Sequence, residues 1–258
     1  MTTTTQTADK QTESGRRREI VSILARHHAE RGMTPEKLRM ILEDLGPTFV
    51  KLGQILSMRT DILPIAYCKE LEKLRAEVAP MPQSDVAAVI REGTGKEIDA
   101  LFTRFDETPV GSASIAQCHT ATLKDGHRVV VKVQRRSIHQ IMRNDLALLR
   151  RACGVIHLTG LDKTVDFTMV LDEMEQVTDE EMDFRREAQH LREFAEKNAS
   201  IPCISCPKVY DELCCETLLC MEYVDGFSLK DTDKLVQAGY ELRDIGDKLA
   251  ENYVHQIV

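Results

Sequence analysis

Two lysines and one acidic stretch carry most of the chemistry this chain can offer. Lys51 and Gln54 sit three residues apart within Leu45–Pro64, LGPTFVKLGQILSMRTDILP. There Leu45, Phe49, Leu52, Ile55 and Leu56 recur at helical spacing, which predicts a largely buried helix after Pro47. Lys51 and Gln54 then lie one turn apart and can reach a common neighbour. A lysine on such a helix needs a carboxylate or an anionic ligand, because an uncompensated charge is costly to bury. A purely structural contact between two lobes would meet the same need.

The second lysine, Lys132, stands in Val129-Val130-Val131-Lys132-Val133. The period of two turns it away from the face shared by Val131 and Val133. It follows Lys124-Asp125-Gly126-His127, whose Asp-Gly pair predicts a hairpin turn. The segment before that hairpin, Gly111-Ser112-Ala113-Ser114-Ile115-Ala116-Gln117, is a loop of small residues. A strand lysine beneath such a loop is the arrangement with which kinase lobes hold phosphate. Taken alone, a strand lysine is more simply a solvated edge residue.

A phosphate-binding lysine requires a carboxylate to orient it, and Glu180–Glu187, EEMDFRRE, is the candidate source. Asp183 and Glu187 are four apart and share a face of a continuous helix, where like charges need cations to relieve them. Lys132 and Lys51 could supply those cations. The plain alternative is a solvated charged face.

The elements that must position these groups can be read from the pattern. Residues 1–15 form a polar tail without a hydrophobic core, so they are no secretion signal and are expected to be disordered. Residues 16–101 read as a helical extension. It comprises Arg17–Arg31, a helix capped by Thr34 with Pro35 at its first position, the Lys51 helix, a helix from Pro64 to about Val78, and Asp85–Glu92 capped by Ser84. Strands follow at Phe105–Val110, Gln117–Leu123 and Arg128–Gln134. Helices are then predicted over Ile138–Leu158 and Met169–Lys197, strands near Lys208–Leu213 and Thr217–Tyr223, and a final helix over Glu241–Val258. The fold class is α+β, and no internal repeat is visible.

The wording of these segments resembles that of the UbiB/AarF family of atypical kinase-like proteins, which includes the ADCK proteins. Lys51-Leu52-Gly53-Gln54 resembles the family's K-x-G-Q motif, and Ser112–His119 its alanine-rich loop. Lys132 matches the strand lysine, Glu181-Met182-Asp183 the E-x-D motif, and Glu187 the helix glutamate paired with that lysine. Met221-Glu222-Tyr223-Val224-Asp225-Gly226 resembles the hinge.

The resemblance implies a kinase-like small lobe over 102–226 with an inserted helix, preceded by the helical extension and followed by the beginning of a large lobe over 227–258. It implies an atypical kinase or ATPase that binds ATP or ADP with magnesium and supports ubiquinone or isoprenoid-quinone lipid metabolism. In that reading Lys132, Glu187, Gly111, Ser112, Ala113, Ser114, Ile115, Ala116, Glu222 and Val224 bind the nucleotide. Lys51, Gln54, Glu181 and Asp183 gate the cleft. A non-catalytic nucleotide-sensing module is the alternative, and an orthodox serine/threonine kinase a lesser one.

The loop departs from an ordinary kinase loop in a readable way. Only Gly111 remains where Gly-x-Gly-x-x-Gly would let the backbone take positive φ, so the phosphates should sit differently. The chain also contains neither H-x-D-x-x-x-x-N nor D-F-G, so no catalytic residue is assigned within it, and magnesium ligands are expected beyond Val258 in a longer parent protein.

Bulk properties set the remaining limits. A formal charge of −8 gives no basic excess for neutralising nucleic-acid phosphates. Apolar runs such as Val86–Ile90 fall far short of the roughly 20 residues a spanning helix needs. The expected setting is cytoplasmic, with membrane or isoprenoid-lipid association implied only by the resemblance. Eight cysteines without a secretion signal suggest reduced thiols. Seven residues separate Cys206 from Cys214, too few for a zinc ribbon, and Cys214 and Cys215 in a strand would face opposite sides.

Overall fold

The computed structural model describes residues 13–74, 78–159 and 167–257. The chain begins as helices: α1 (Glu13–Arg26), α2 (Pro35–Leu45), α3 (Pro47–Ser57), α4 (Ile65–Leu71), α5 (Gln83–Thr94) and α6 (Ile98–Leu101). Strands β1 (Phe102–Phe105), β2 (Gly111–Ser112), β3 (Ala116–Leu123) and β4 (Arg128–Gln134) follow. Next come α7 (Ile138–Thr159), α8 (Phe167–Glu181), α9 (Phe184–Lys197), β5 (Leu218–Glu222), α10 (Thr232–Gln237) and α11 (Leu242–Ile257).

Local chemistry accounts for the start of this order. Thr34 accepts from the Lys37 amide and Pro35 sits at the first turn, the expected cap of α2. Gly46, at φ 95, then lets α2 end and α3 begin at Pro47 with almost no spacer. Leu42, Leu45, Phe49, Leu71 and Leu74 make a separate small core for the extension.

The sheet is antiparallel in the order β1-β3-β4-β5, with β2 also pairing β3. Val129, Val131 and Val133 pack on Val86, Val89 and Ile90 of α5. The opposite side lies against a core formed by Leu219, Phe184, Met174, Met142 and Ile55. The strand period of two therefore places Lys132 on the side facing α9 and α3.

Several expected boundaries move. Phe105–Val110 is not one strand. β1 stops at Phe105, where Asp106 turns to Arg104 and Thr120, and Pro109 has no N–H to continue the ladder. Lys208–Leu213 is reduced to a bridge at Val209 and a 3-10 turn at Asp211–Leu213, so Cys214 and Cys215 lie outside any named strand. The helix after Pro64 ends at Leu71, and residues 75–77 of its expected span lie outside the described residues. Ser84 lies inside α5, which starts at Gln83 after Pro82 and has no side-chain cap.

The tail expectation is corrected at its end, since Glu13–Gly15 begin α1, while residues 1–12 and Val258 lie outside the described residues. The correction with most consequence concerns 169–197, which is two helices. The Met182 carbonyl accepts from the Gln134 side chain, and Asp183 leaves helical geometry to cap α9. Among the described residues no helix is long and apolar enough to cross a membrane.

Candidate functional site

A cavity of about 790 Å³ opens between the sheet, α3 and the break between α8 and α9. Lys51 and Gln54 line it from α3, Gly111 to Ala116 from the loop, Cys118 and Lys132 from the sheet, and Glu181, Phe184 and Glu187 from the helix break. Thus the two lysines, the loop and two of the acidic residues converge as the sequence suggested.

Lys132 is fixed from two sides. Its Nζ donates to Glu187 Oε2 at 2.7 Å and lies 4.7 Å from the centre of the Phe184 ring. Glu187 can reach it because α9 is rigidly started. The Asp183 carboxylate accepts from the Arg185 amide at 3.1 Å, the Phe184 amide donates to Glu216 O at 3.0 Å, and Phe184 is 1% exposed. The Lys132 and Glu187 side chains keep 26% and 40% exposure, so the pair meets solvent on the cavity side. Exposed pairs of this kind contribute about 1 kcal/mol or less to stability, which makes orientation their main effect.

Lys51 pairs with Glu181 across the cavity mouth and joins the extension to the end of α8. Asp183 does not share this contact. The expected Asp183–Glu187 face is lost because the helix breaks between them. Asp183 is bound instead by Arg185 through two hydrogen bonds at 2.8 Å, and that guanidinium holds its carboxyl below the usual range. The repulsion that Lys51 and Lys132 were expected to relieve is thereby divided, one lysine to Glu181 and the other to Glu187.

Gly53 explains the small residue between Lys51 and Gln54. A Cβ there would lie 2.3 Å from Leu74 Cδ1 and 2.8 Å from Leu42 Cδ1. Glycine lets α3 pack closely into the extension core while its other face meets the cavity.

The loop bears out the backbone argument. Among the described residues the only non-glycine positions with positive φ are His28 and Ser137, so residues 112–116 avoid the left-handed region. A Cβ on Gly111 would meet nothing within 4 Å. Ser114, Ile115 and Ala116 are buried, whereas Gly111 and Ala113 are exposed at the cavity.

Glu222 and Val224 are not among the lining residues. The Glu222 carboxylate accepts from the Lys208 amide at 3.1 Å, and Val224 is 61% exposed. Cys118, Phe184 and Arg135 were not singled out as site residues. Cys118 stands directly across from Lys132 in the β3–β4 ladder, and burial pushes its thiol up against the pull of Lys132. Its place follows from the hairpin register once the turn is fixed. Arg135 had no sequence signal beyond its position just after β4.

A larger cavity of about 950 Å³ lies between α1, Leu45-Gly46-Pro47 and α7. At its centre Arg16 donates to both Asp145 oxygens at 2.7 and 2.8 Å and to Leu45 O at 2.6 Å. Those buried groups answer one another, which marks a structural junction. Among the described residues no group of three or more His, Cys, Asp or Glu side chains could hold a metal ion, and the eight cysteines are free.

Comparison with known proteins agrees with the fold. Residues 73–258 match the ABC1 atypical kinase-like domain. An uncharacterized protein in the hydrogenase 1 5' region of Clostridium pasteurianum is 39% identical over 87% of this chain and 42% of its own length. The probable protein kinase UbiB of Marinobacter nauticus is 33% identical over 86% of this chain and 41% of its own. The Arabidopsis thaliana chloroplastic protein ACTIVITY OF BC1 COMPLEX KINASE 8 is 33% identical over 88% of this chain and 32% of its own. The chain therefore spans less than half the length of these relatives. Among solved structures, the complex of Rv3197 with erythromycin from Mycobacterium tuberculosis matches with a TM-score of 0.52 at 30% identity, over 83% of this chain and 53% of that one.

Proposed function

This chain belongs to the ABC1 atypical kinase-like family, and we propose that its cavity binds ATP or ADP. The observation that carries the reading is the Lys132–Glu187 pair on the cavity wall beneath the 111–116 loop. The residues fit such a ligand. A cavity of about 790 Å³ lies within the usual range of roughly 300–1,000 Å³ for small-molecule sites, and it offers the two ammonium groups of Lys51 and Lys132 and an exposed loop backbone.

Lys132 neutralises phosphate oxygens, Glu187 holds Lys132 in place, and Gly111 to Ala116 cover the phosphate end. In this reading the adenine edge extends past the lined cavity to the backbone at Glu222 and Val224, where the Glu222 amide already donates to Lys208 O at 2.8 Å. Lys51, Gln54, Glu181 and Asp183 form the gate, with the Lys51–Glu181 pair closing the mouth. The described residues assign no ligand to magnesium, so the reading places the chain's own groups on the nucleotide alone. For the longer proteins of this family, the reading is an atypical kinase or ATPase supporting ubiquinone or isoprenoid-quinone lipid metabolism at a membrane.

A nucleotide-sensing module is the second reading for the 258 residues taken alone. The Lys51–Glu181 pair supports it, because the pair links α3 to the end of α8 on the cavity lining, where nucleotide occupancy would be felt by that link. Calorimetric titration with ATP tests the first claim. The expected result is saturable binding to one site. Absence of saturable heat with both ATP and ADP contradicts it. Steady-state phosphate release that Lys132→Ala abolishes would overturn the sensing reading.

A further inference from the structure

Arg135 is half-buried, yet all its acceptors are neutral. Nε donates to Ala113 O at 2.8 Å, and one terminal nitrogen donates to Ala79 O at 2.9 Å and Ser112 Oγ at 2.7 Å. Burial pushes the guanidinium pKa down, the direction expected for a cation stripped of water. The planar fork of the guanidinium lets it hold acceptors from two segments at once.

Those carbonyls belong to two segments far apart in sequence. Residues 78–79 precede α5, and residues 112–115 form the loop over the cavity. Backbone bonds add to the stitch. Val78 N donates to Ser112 O at 3.1 Å, Arg135 N to Ile115 O at 2.8 Å, and Ala113 N to Ala116 O at 2.8 Å. A little further on, Met81 N donates to Gln117 Oε1 at 2.6 Å.

We infer that Arg135 is a positioning residue that locks residues 78–79 and the 112–115 loop into one unit, so that the segment preceding α5 sets where the loop stands over the phosphate end of the cavity. The inference rests on the nucleotide reading above only for what the loop covers. The lock itself is a property of the unliganded protein. Without the guanidinium, Ala113 O and Ala79 O lose the one donor that bridges them, and the loop loses its side-chain tie to residues 78–79. Lysine cannot replace the fork, since one ammonium cannot span these acceptors in the same plane.

Site-resolved hydrogen exchange on the full chain tests the lock without any ligand. In Arg135→Ala and Arg135→Lys, exchange at Val78 and Ala113 should accelerate together by tenfold or more, while Val131 in β4 stays protected. Ser112→Ala, which removes one acceptor and leaves the arginine, should give a smaller acceleration at the same two amides. It also serves as the readout if the arginine variants fail to fold. Unchanged exchange at both amides, or acceleration at one alone, overturns the inference. A second arm compares ATP with adenosine. Loss of the loop's position should lower ATP affinity about tenfold and leave adenosine affinity unchanged, whereas an equal loss for both means that Arg135 serves only general stability. Wild-type protein that binds neither ligand removes the nucleotide reading and leaves the lock to the exchange result.

Discussion

Lys132 Nζ and Glu187 Oε2 meet at 2.7 Å across 55 residues of chain, and that contact ties the sheet to α9 at the wall of the cavity. Neither residue is buried enough for the pair to act mainly on stability. Lys132→Glu and Glu187→Lys should each cost about 1 kcal/mol or less in unfolding free energy. Each should also weaken ATP binding by about tenfold, equivalent to about 1.4 kcal/mol. The double swap should recover part of both losses, with a coupling of at least about 0.5 kcal/mol. Chemical denaturation and titration of the four proteins check this, and strictly additive losses would contradict it.

The gate makes a kinetic prediction. Lys51→Ala removes the tie to Glu181; the Lys51 side chain is 14% exposed and that of Glu181 44%, so the ion pair itself should contribute only about 1 kcal/mol or less to stability. Nucleotide association and dissociation should both become faster, with affinity changed less than either rate. Stopped-flow measurement with a fluorescent ADP analogue distinguishes this from a binding residue, whose loss would show mainly in dissociation.

Gly53 should accept a side chain only at a cost to stability. Gly53→Ala forces Leu74 and Leu42 to move in the extension core, and overpacking of this kind costs about 1–3 kcal/mol. Gly111→Ala meets nothing within 4 Å and should be close to neutral. Thermal unfolding of the two variants under one buffer condition checks the contrast.

How much of this was legible in the residues varies with the kind of contact. Period-two alternation around Lys132 and the Thr34-Pro35 cap are local signals, and the structure follows them. The break at Met182–Asp183 is not local. It depends on Gln134 and Glu216 reaching in from the sheet side, so an acidic run with helical composition reads as continuous until those partners are known. The same break hid the assignment of Lys51 to Glu181. Arg135 was invisible for a related reason, since its acceptors are backbone carbonyls that carry no residue identity. Cys118 could have been found. The turn at Asp125-Gly126 fixes the hairpin register, and that register sets Cys118 opposite Lys132.

Acid should destabilise the sheet through His119, which is fully buried. Its Nδ1 bonds Asp106 O at 2.8 Å and its Nε2 bonds the Gln117 amide at 2.8 Å, an arrangement suited to the neutral ring. Burial lowers its pKa from 6.5, so the unfolded chain takes up the proton first as pH falls. The stabilising contribution is fully present above pH 6.5 and is lost as pH falls from there through the lowered folded value. Between about pH 7 and pH 5, across the usual histidine range, the midpoint of thermal unfolding should drop, and His119→Gln should flatten that dependence. An unchanged slope in the variant would assign the effect to other groups.

The central claim is that a nucleotide occupies the cavity between Lys51 and Lys132, and Cys118 reports on that space directly. It lines the cavity and lies opposite Lys132, whereas Cys203 is exposed elsewhere. Alkylation followed by peptide-resolved mass spectrometry gives a rate for each thiol in the same sample. With saturating ATP, Cys118 should react at least fivefold more slowly while Cys203 keeps its rate, and the protection should disappear in Lys132→Ala. Equal Cys118 rates with and without ATP, in a protein that binds ATP by titration, would contradict the account by placing the nucleotide elsewhere.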